Sequence, residues 1–113
     1  MARIKTFCGP YIYEIDNGRF KQYCGNYRYE LSGNNIKTFC GPNIYTIEGN
    51  RIRQFCGPYL LEVNGNTIKQ YCGLNIATIE GNRIKQFCGP YLYEIEGSLS
   101  NNELMMLIAI LFA

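Results

Sequence analysis

The sequence predicts an all-β protein built of six β-hairpins and completed by one short C-terminal helix. Two observations predict this class: a sixteen-residue repeat marked by cysteines, and an apolar tail that lacks the repeat. The cysteines are Cys8, Cys24, Cys40, Cys56, Cys72 and Cys88. Aligned on them, residues 1–98 contain the units 3–18, 19–34, 35–50, 51–66, 67–82 and 83–98, and residues 99–113 form the tail. A regular repeat of this kind indicates one structural unit copied in tandem.

Two turn signals divide each unit into two strands. Asn17-Gly18 suits a two-residue type I′ turn, which requires positive φ at both central residues, and Gly-Asn takes this place in later units. The second signal follows each cysteine, as in Gly9-Pro10. Glycine at the first central position predicts a type II′ turn there. Turns of two residues would leave strands of about six residues, close to the usual length.

The strand pairing that these turns impose is chemically consistent. Between units, Arg51 is expected opposite Glu48, and Ile52 opposite Ile47. Within the sixth unit, the expected pairs are Ile84–Ile95, Lys85–Glu94, Phe87–Leu92 and Cys88–Tyr91. Apolar side chains then face apolar ones and charges face countercharges, which stabilises antiparallel strands.

Because side chains alternate along a strand, the predicted sheet has two different faces. One face carries the cysteines and an isoleucine row: Ile4, Ile15, Ile36, Ile47, Ile52, Ile68, Ile79, Ile84 and Ile95. The other face carries the charges, so we place the isoleucine face inward. An apolar row nevertheless remains on the outer face, and exposed apolar rows are typical of contact surfaces. This candidate interaction row consists of Phe7, Ile12, Phe39, Ile44, Phe55, Leu60, Ile76, Phe87 and Leu92.

The tail predicts a capped apolar helix. Ser100 and Glu103 form a capping box, and the ten apolar residues that follow would span only about 15 Å, half of a bilayer core. A helix that is apolar all round must be buried. We therefore expect a twelve-strand antiparallel meander rolled barrel-like around it. Two-residue turns supply no shear, so full closure would require bulges or longer turns. A β-solenoid with one unit per coil is the alternative interpretation.

The composition argues against an enzyme and against a nucleic-acid-binding protein. The chain has no histidine, the commonest general base, and its net charge of +2 comes from alternating signs without a basic stripe. In the meander, neighbouring cysteines would lie roughly 9.5 Å apart, too far for a disulfide or a shared metal ion. We expect buried, unpaired cysteines and neither metal nor cofactor. The glutamates Glu14, Glu30, Glu62 and Glu94 are expected in cross-strand ion pairs.

The units RIKTFCGPYIYEIDNG and RIKQFCGPYLYEIEGS, with the tail LSNNELMMLIAILFA, resemble small uncharacterised bacterial proteins built of tandem hairpins with an apolar C-terminal helix. The predicted plan of twelve strands around a terminal helix is also similar to Tubby-type barrels, which bind phosphoinositides or membranes. That second likeness concerns architecture only, since the chain carries no Tubby motif.

These observations favour a non-enzymatic structural or protein-interaction module. We expect it to associate with itself or with another protein through the candidate interaction row and the sheet edges. The alternative is a lipid- or membrane-associated module that uses the apolar helix. Residues 1–5 contain no apolar segment of the kind that begins a secretory signal, so we expect a cytoplasmic protein with reduced thiols.

Overall fold

In the computed structural model, which describes residues 2–112, twelve antiparallel strands form a closed barrel around one helix. The elements are β1 (Ala2–Thr6), β2 (Tyr11–Asp16), β3 (Arg19–Gln22), β4 (Tyr27–Ser32), β5 (Asn35–Thr38), β6 (Asn43–Glu48), β7 (Arg51–Gln54), β8 (Tyr59–Asn64), β9 (Thr67–Gln70), β10 (Asn75–Glu80), β11 (Arg83–Gln86), β12 (Tyr91–Gly97) and α1 (Asn101–Phe112). Consecutive strands are neighbours, and β1 pairs with β12. The antiparallel meander is confirmed, and the solenoid alternative is excluded.

The turns between hairpins have the predicted length of two residues. At the first of them Asn17 has φ 51° and Gly18 has φ 75°, as a type I′ turn requires. At the third, only Gly49 has positive φ, at 61°, which matches a type II′ turn. The expected pairs Arg51–Glu48 and Ile52–Ile47 are present. We call this end of the barrel, with turns at residues 17–18, 33–34, 49–50, 65–66 and 81–82, the Asn-Gly end.

The turns within hairpins differ from the prediction. Residues 7–10 separate β1 from β2, and the N–H of Gly9 donates to the carbonyl of Thr6 at 2.9 Å. Cys8 has φ 58°, so the turn is of type II with cysteine in the left-handed position, rather than type II′ with glycine there. The longer connection shortens the first strand of each hairpin to five residues in β1 and four in β3 and its equivalents. We call this end, with its six cysteine turns, the cysteine end.

A β-bulge beside each cysteine turn changes the partners within every hairpin. In the sixth hairpin the observed pairs are Arg83–Glu94, Ile84–Tyr93 and Lys85–Tyr91. The expected pairs Ile84–Ile95, Lys85–Glu94, Phe87–Leu92 and Cys88–Tyr91 are therefore wrong. Ile84 thus pairs with a residue two positions nearer the turn than expected, and Lys85, next to the bulge, with a residue three positions nearer. The displacement of two leaves Ile84 opposite a residue of its own face, because the side-chain period of a strand is two.

The same displacement closes the barrel. Arg3 pairs with Glu14, and Glu14 pairs with Lys21, which is the counterpart of Lys5 in the next hairpin. The register advances two residues per hairpin, so six hairpins give a shear of twelve residues for twelve strands. This ratio tilts the strands by roughly 35–40° from the barrel axis, as in most barrels. Bulges and longer turns were the expected condition for closure, and both are present.

The isoleucine face and the helix fill the lumen, as predicted. Of the isoleucine row, all members except Ile79 are buried, and Ile79 packs against the same core. In α1, residues 105–109 are all buried. Five consecutive buried residues cover every side of a helix, so the barrel encloses α1 completely at this level.

The capping box holds the helix at the Asn-Gly end. The N–H of Ser100 donates to Glu103 Oε1 at 3.0 Å, and the N–H of Glu103 donates to Ser100 Oγ at 3.2 Å. The second carboxylate oxygen of Glu103 accepts from the N–H of Gly18 at 2.8 Å, which ties the helix to a turn of the barrel. The chain therefore enters the lumen at the Asn-Gly end and runs towards the cysteine end. Within residues 2–112, no helix combines the length and apolarity needed to cross a bilayer.

Candidate interaction surface

The exposed apolar side chains of the protein are gathered at one end. Among residues 2–112, the large apolar side chains with high exposure are Phe7, Tyr23, Phe39, Phe55, Tyr71, Leu74 and Phe87. All of them lie in cysteine turns. Leu74 is 81% exposed and the aromatic residues are 37–42% exposed. The Asn-Gly end is polar by contrast, since its turns consist of Asn and Gly and are flanked by charged or other polar residues.

The six aromatic residues form a closed ring, which we call the aromatic belt: Phe7, Tyr23, Phe39, Phe55, Tyr71 and Phe87. Each backbone N–H in the belt donates to a carbonyl of the preceding hairpin, as Phe55 does to Ile44 at 3.0 Å. The N–H of Phe7 donates to the carbonyl of Leu92 at 3.0 Å, so the ring closes where the barrel closes. The acceptors around the ring are Ile12, Arg28, Ile44, Leu60, Ile76 and Leu92.

The candidate interaction row is thus continuous around the barrel, but its two halves differ in exposure. Phe7, Phe39, Phe55 and Phe87 are exposed, whereas Ile12, Ile44, Leu60, Ile76 and Leu92 are half-buried. The first four of these aliphatic residues pack against the core. Sequence reasoning missed Tyr23, Tyr71 and Leu74. The two tyrosines occupy the phenylalanine position of the repeat, so the alignment of the units could have found them.

The predicted contact through sheet edges is wrong. Within residues 2–112, each of the twelve strands is paired on both sides. A closed sheet offers no row of free N–H and C=O groups to another chain. A contact between this barrel and another chain would therefore have to use side chains.

Ion pairs compensate the charges of the outer wall. Glu14 lies between Arg3 Nε of its own hairpin, at 3.3 Å, and Lys21 Nζ of the next, at 3.1 Å. The hydrogen bond from Lys21, opposed by burial and assisted by Arg3, lowers the pKa of Glu14. The same arrangement surrounds Glu30, Glu62 and Glu94. The cross-strand ion pairs expected for these four glutamates are present.

In the same four hairpins a tyrosine stacks against the belt. The ring pairs, with centroid distances, are Tyr11–Tyr23 at 5.1 Å, Tyr27–Phe39 at 5.3 Å, Tyr59–Tyr71 at 4.9 Å and Tyr91–Phe7 at 5.0 Å. The arginine of the same hairpin lies over each tyrosine, as Arg51 does at 5.5 Å from the Tyr59 centroid. These contacts hold four of the six belt residues against the wall.

The third and fifth hairpins lack this whole network. The positions of arginine, tyrosine and glutamate are taken by Asn35, Asn43 and Thr46 in the third, and by Thr67, Asn75 and Thr78 in the fifth. The belt residues next to the missing tyrosines are Phe55 and Phe87, the most exposed of the belt at 42% each. Beside Phe55, an open groove of about 380 Å³ is lined by Asn43, Tyr45 and Gln54. The belt therefore has two places where a ring face is accessible.

The six cysteines are also at this end, and all are exposed and free in the described part of the chain. The prediction that they are buried is wrong, because each cysteine lies inside a turn, beyond the last paired residue of its strand. No group of three or more side chains able to hold a metal ion occurs among residues 2–112.

Comparisons with known proteins identify no relative. No protein-family model matches the chain, and neither does any curated protein or solved structure. The functional interpretation therefore depends on the surface chemistry of the cysteine end.

Proposed function

We propose that this barrel is a non-catalytic interaction module that associates with a second copy of itself through the cysteine end. The observation that carries the proposal is the segregation of exposed apolar side chains: among residues 2–112 they lie on this end and form a closed belt. Monomeric proteins rarely leave a contiguous apolar patch of this kind in water, so such a patch marks a contact site.

The charge distribution favours a second copy as the partner. In the six segments that form the cysteine end (6–12, 22–28, 38–44, 54–60, 70–76 and 86–92), Arg28 is the only charged residue. Two identical ends can therefore meet without appreciable repulsion, and a core depleted of charge and rich in aromatic residues is typical of protein interfaces. The wall and the Asn-Gly end carry the remaining charges and would stay in water.

The size of the end is sufficient for a stable contact. The Cα positions extend over 36 × 34 × 17 Å, so the barrel is short and wide. A circle 34 Å across encloses roughly 900 Å², so two facing ends would bury at most roughly 1,800 Å², a value within the range of standard interfaces.

The alternative, membrane association through the apolar helix, has less support. Residues 105–109 lie inside the lumen, where the helix contributes to the core. The helix would have to leave the barrel to reach a lipid surface, and this would expose the isoleucine face. The free thiols favour a reducing compartment such as the cytoplasm.

The proposal is tested by sedimentation equilibrium under reducing conditions with the variant Phe55→Thr/Phe87→Thr. The parent protein should dimerise, and the variant should dimerise at least tenfold more weakly, since it loses the two most exposed rings of the belt. The control Ser32→Thr/Asn66→Thr introduces the same residue at the Asn-Gly end and should dimerise like the parent.

Two results would overturn the proposal. One is a parent protein that stays monomeric at the highest attainable concentration. The other is a Phe55→Thr/Phe87→Thr variant that unfolds rather than dissociates, as seen by circular dichroism. Unfolding of this variant would show that the belt belongs to the core and is not a contact surface.

A further inference from the structure

The six cysteines occupy a backbone conformation that cysteine does not favour. Their φ angles lie between 54° and 58°, in the left-handed region. This is the third position of a type II turn, where glycine or asparagine is preferred. A residue with a Cβ atom is strained there relative to glycine. The strain recurs at Cys8, Cys24, Cys40, Cys56, Cys72 and Cys88.

Packing offers no reason for a cysteine at this position. The six side chains are exposed and free, so they neither fill the core nor form bonds within the described chain. The glycine that follows each cysteine is different: a Cβ atom on Gly9 would lie 2.0 Å from Thr6 Oγ1. Glycine is thus required by sterics, and cysteine is not required by the fold.

The turn positions before the cysteine and after the glycine vary between the six units, but the cysteine does not. The preceding residue is Phe or Tyr, and the residue after the glycine is Pro, Asn or Leu. Cysteine is present in all six copies although glycine would suit the backbone better. The feature that the repeat preserves is therefore the thiol itself, and strain held at an exposed group points to a chemical role.

The topology prevents these thiols from reacting with one another inside one barrel. Successive cysteines belong to successive hairpins, so their Cα atoms lie about two strand spacings apart, roughly 9.5 Å. A disulfide requires Cα atoms within about 7 Å. All six thiols nevertheless lie exposed at one end, which is the end proposed above to meet a second copy.

We propose that two copies joined through their cysteine ends are sealed by disulfides across the interface. This inference rests on the proposed function. Because the six hairpins are nearly equivalent around the barrel axis, a docking that brings one cysteine opposite a cysteine of the partner copy also brings others into register. The ring of thiols is a redox-sensitive modification site, and the interface supplies the proximity that a single barrel lacks.

The oxidant is a small disulfide of the glutathione class. A thiolate of one copy attacks that disulfide, which forms a mixed disulfide and releases one small thiol. The facing thiolate of the second copy then attacks the protein sulfur of the mixed disulfide and releases the second small thiol. Two protein thiols lose two protons and two electrons, one S–S bond is broken, and one S–S bond is formed between the chains.

The geometry makes a specific prediction about the product. Since all six thiols lie at the cysteine end, disulfides between two such ends leave neither molecule with a free cysteine end. Covalent assembly should stop at two chains. Cysteines scattered over a surface would instead give a ladder of trimers and larger products.

The experiment treats the full chain with oxidised glutathione and follows the products by intact-mass spectrometry without reductant. The expected product is a covalent dimer that does not grow further and that dithiothreitol returns to monomer mass. The Phe55→Thr/Phe87→Thr variant should form this product at least tenfold more slowly. A covalent ladder, disulfides within one chain, or only glutathione adducts on single chains would overturn the inference.

A variant with all six cysteines replaced by glycine separates this inference from the proposed function. Glycine suits the left-handed position, so the variant should fold. It cannot be sealed, but it should still dimerise in sedimentation experiments if the belt carries the association. A monomeric glycine variant beside a dimeric reduced parent would overturn the proposed function, because the thiols and not the belt would then hold the copies together.

Discussion

The enclosed helix makes Leu107 a sensitive apolar position of the protein. Leu107 has no exposed surface and lies in the middle of the buried segment 105–109. A Leu→Ala change at a buried site costs about 2–5 kcal/mol, and the cost is highest where the surroundings cannot collapse into the cavity. The wall around Leu107 is a closed hydrogen-bonded ring, so it resists collapse. We expect Leu107→Ala to cost about 3–5 kcal/mol of a total stability of about 5–15 kcal/mol.

Urea denaturation of the reduced protein, followed by circular dichroism, measures this loss. The matched control is Leu111→Ala, the same change in the same helix at a half-buried position, where we expect a loss of about 1 kcal/mol. A chain that ends at Ser98 should not fold to a soluble monomer, because it loses the whole helix. Equal stabilities of the two alanine variants, or a soluble and cooperatively melting truncated chain, would show that the helix does not fill the lumen.

Two further predictions concern the outer wall. Hydrogen bonds from Lys21, Arg51 and Lys5 lower the pKa values of Glu14, Glu62 and Glu94 below the ordinary value of a glutamate carboxyl, about 4.5. Their stabilisation is therefore present above that pH and disappears as the pH falls through the lowered pKa values. Melting curves should shift to lower temperature below about pH 4.5, and Glu14→Gln should reduce this shift; a melting temperature independent of pH down to 3 would contradict it. Asn43→Tyr should restore the missing ring next to Phe55 and raise the free energy of unfolding by about 1 kcal/mol, whereas Asn43→Thr should not; equal stabilities would show that the groove does not accept a ring.

Much of the fold could be predicted because its determinants are local. The sixteen-residue period, the Asn17-Gly18 turn and the capping box each depend on residues close together in the chain. The inward isoleucine face survived an error in the register, because Ile84 pairs with Tyr93 rather than with Ile95, a displacement of two residues. The partners of Ile84 and Lys85 were wrong, yet both side chains kept their predicted faces.

The cysteine end could not be predicted in the same way. Cys-Gly-Pro suggests glycine as the residue with positive φ, but the fold places the preceding cysteine there. This choice makes room for a four-residue turn, which moves the cysteines out of the strands and into solvent. The four-residue turn is favoured because it allows the barrel to close, and closure is a property of all six hairpins together. The sequence of a single unit therefore does not predict the shear between the strands.

The constant register step also explains why the protein has six hairpins. Since each hairpin adds two strands and two residues of shear, the strand tilt is independent of the number of copies, and only the radius changes. Twelve strands at this tilt give the wall of paired strands a radius of about 11 Å, inside the 36 × 34 Å spread of the whole chain, while ten or fourteen would give about 9 Å or 12 Å. Packed elements lie about 10 Å apart, so a wall of twelve strands suits one central helix. The helix therefore fits only one number of hairpins. A chain that gained or lost one hairpin by gene duplication or deletion would have a lumen too wide or too narrow for its own C-terminal helix.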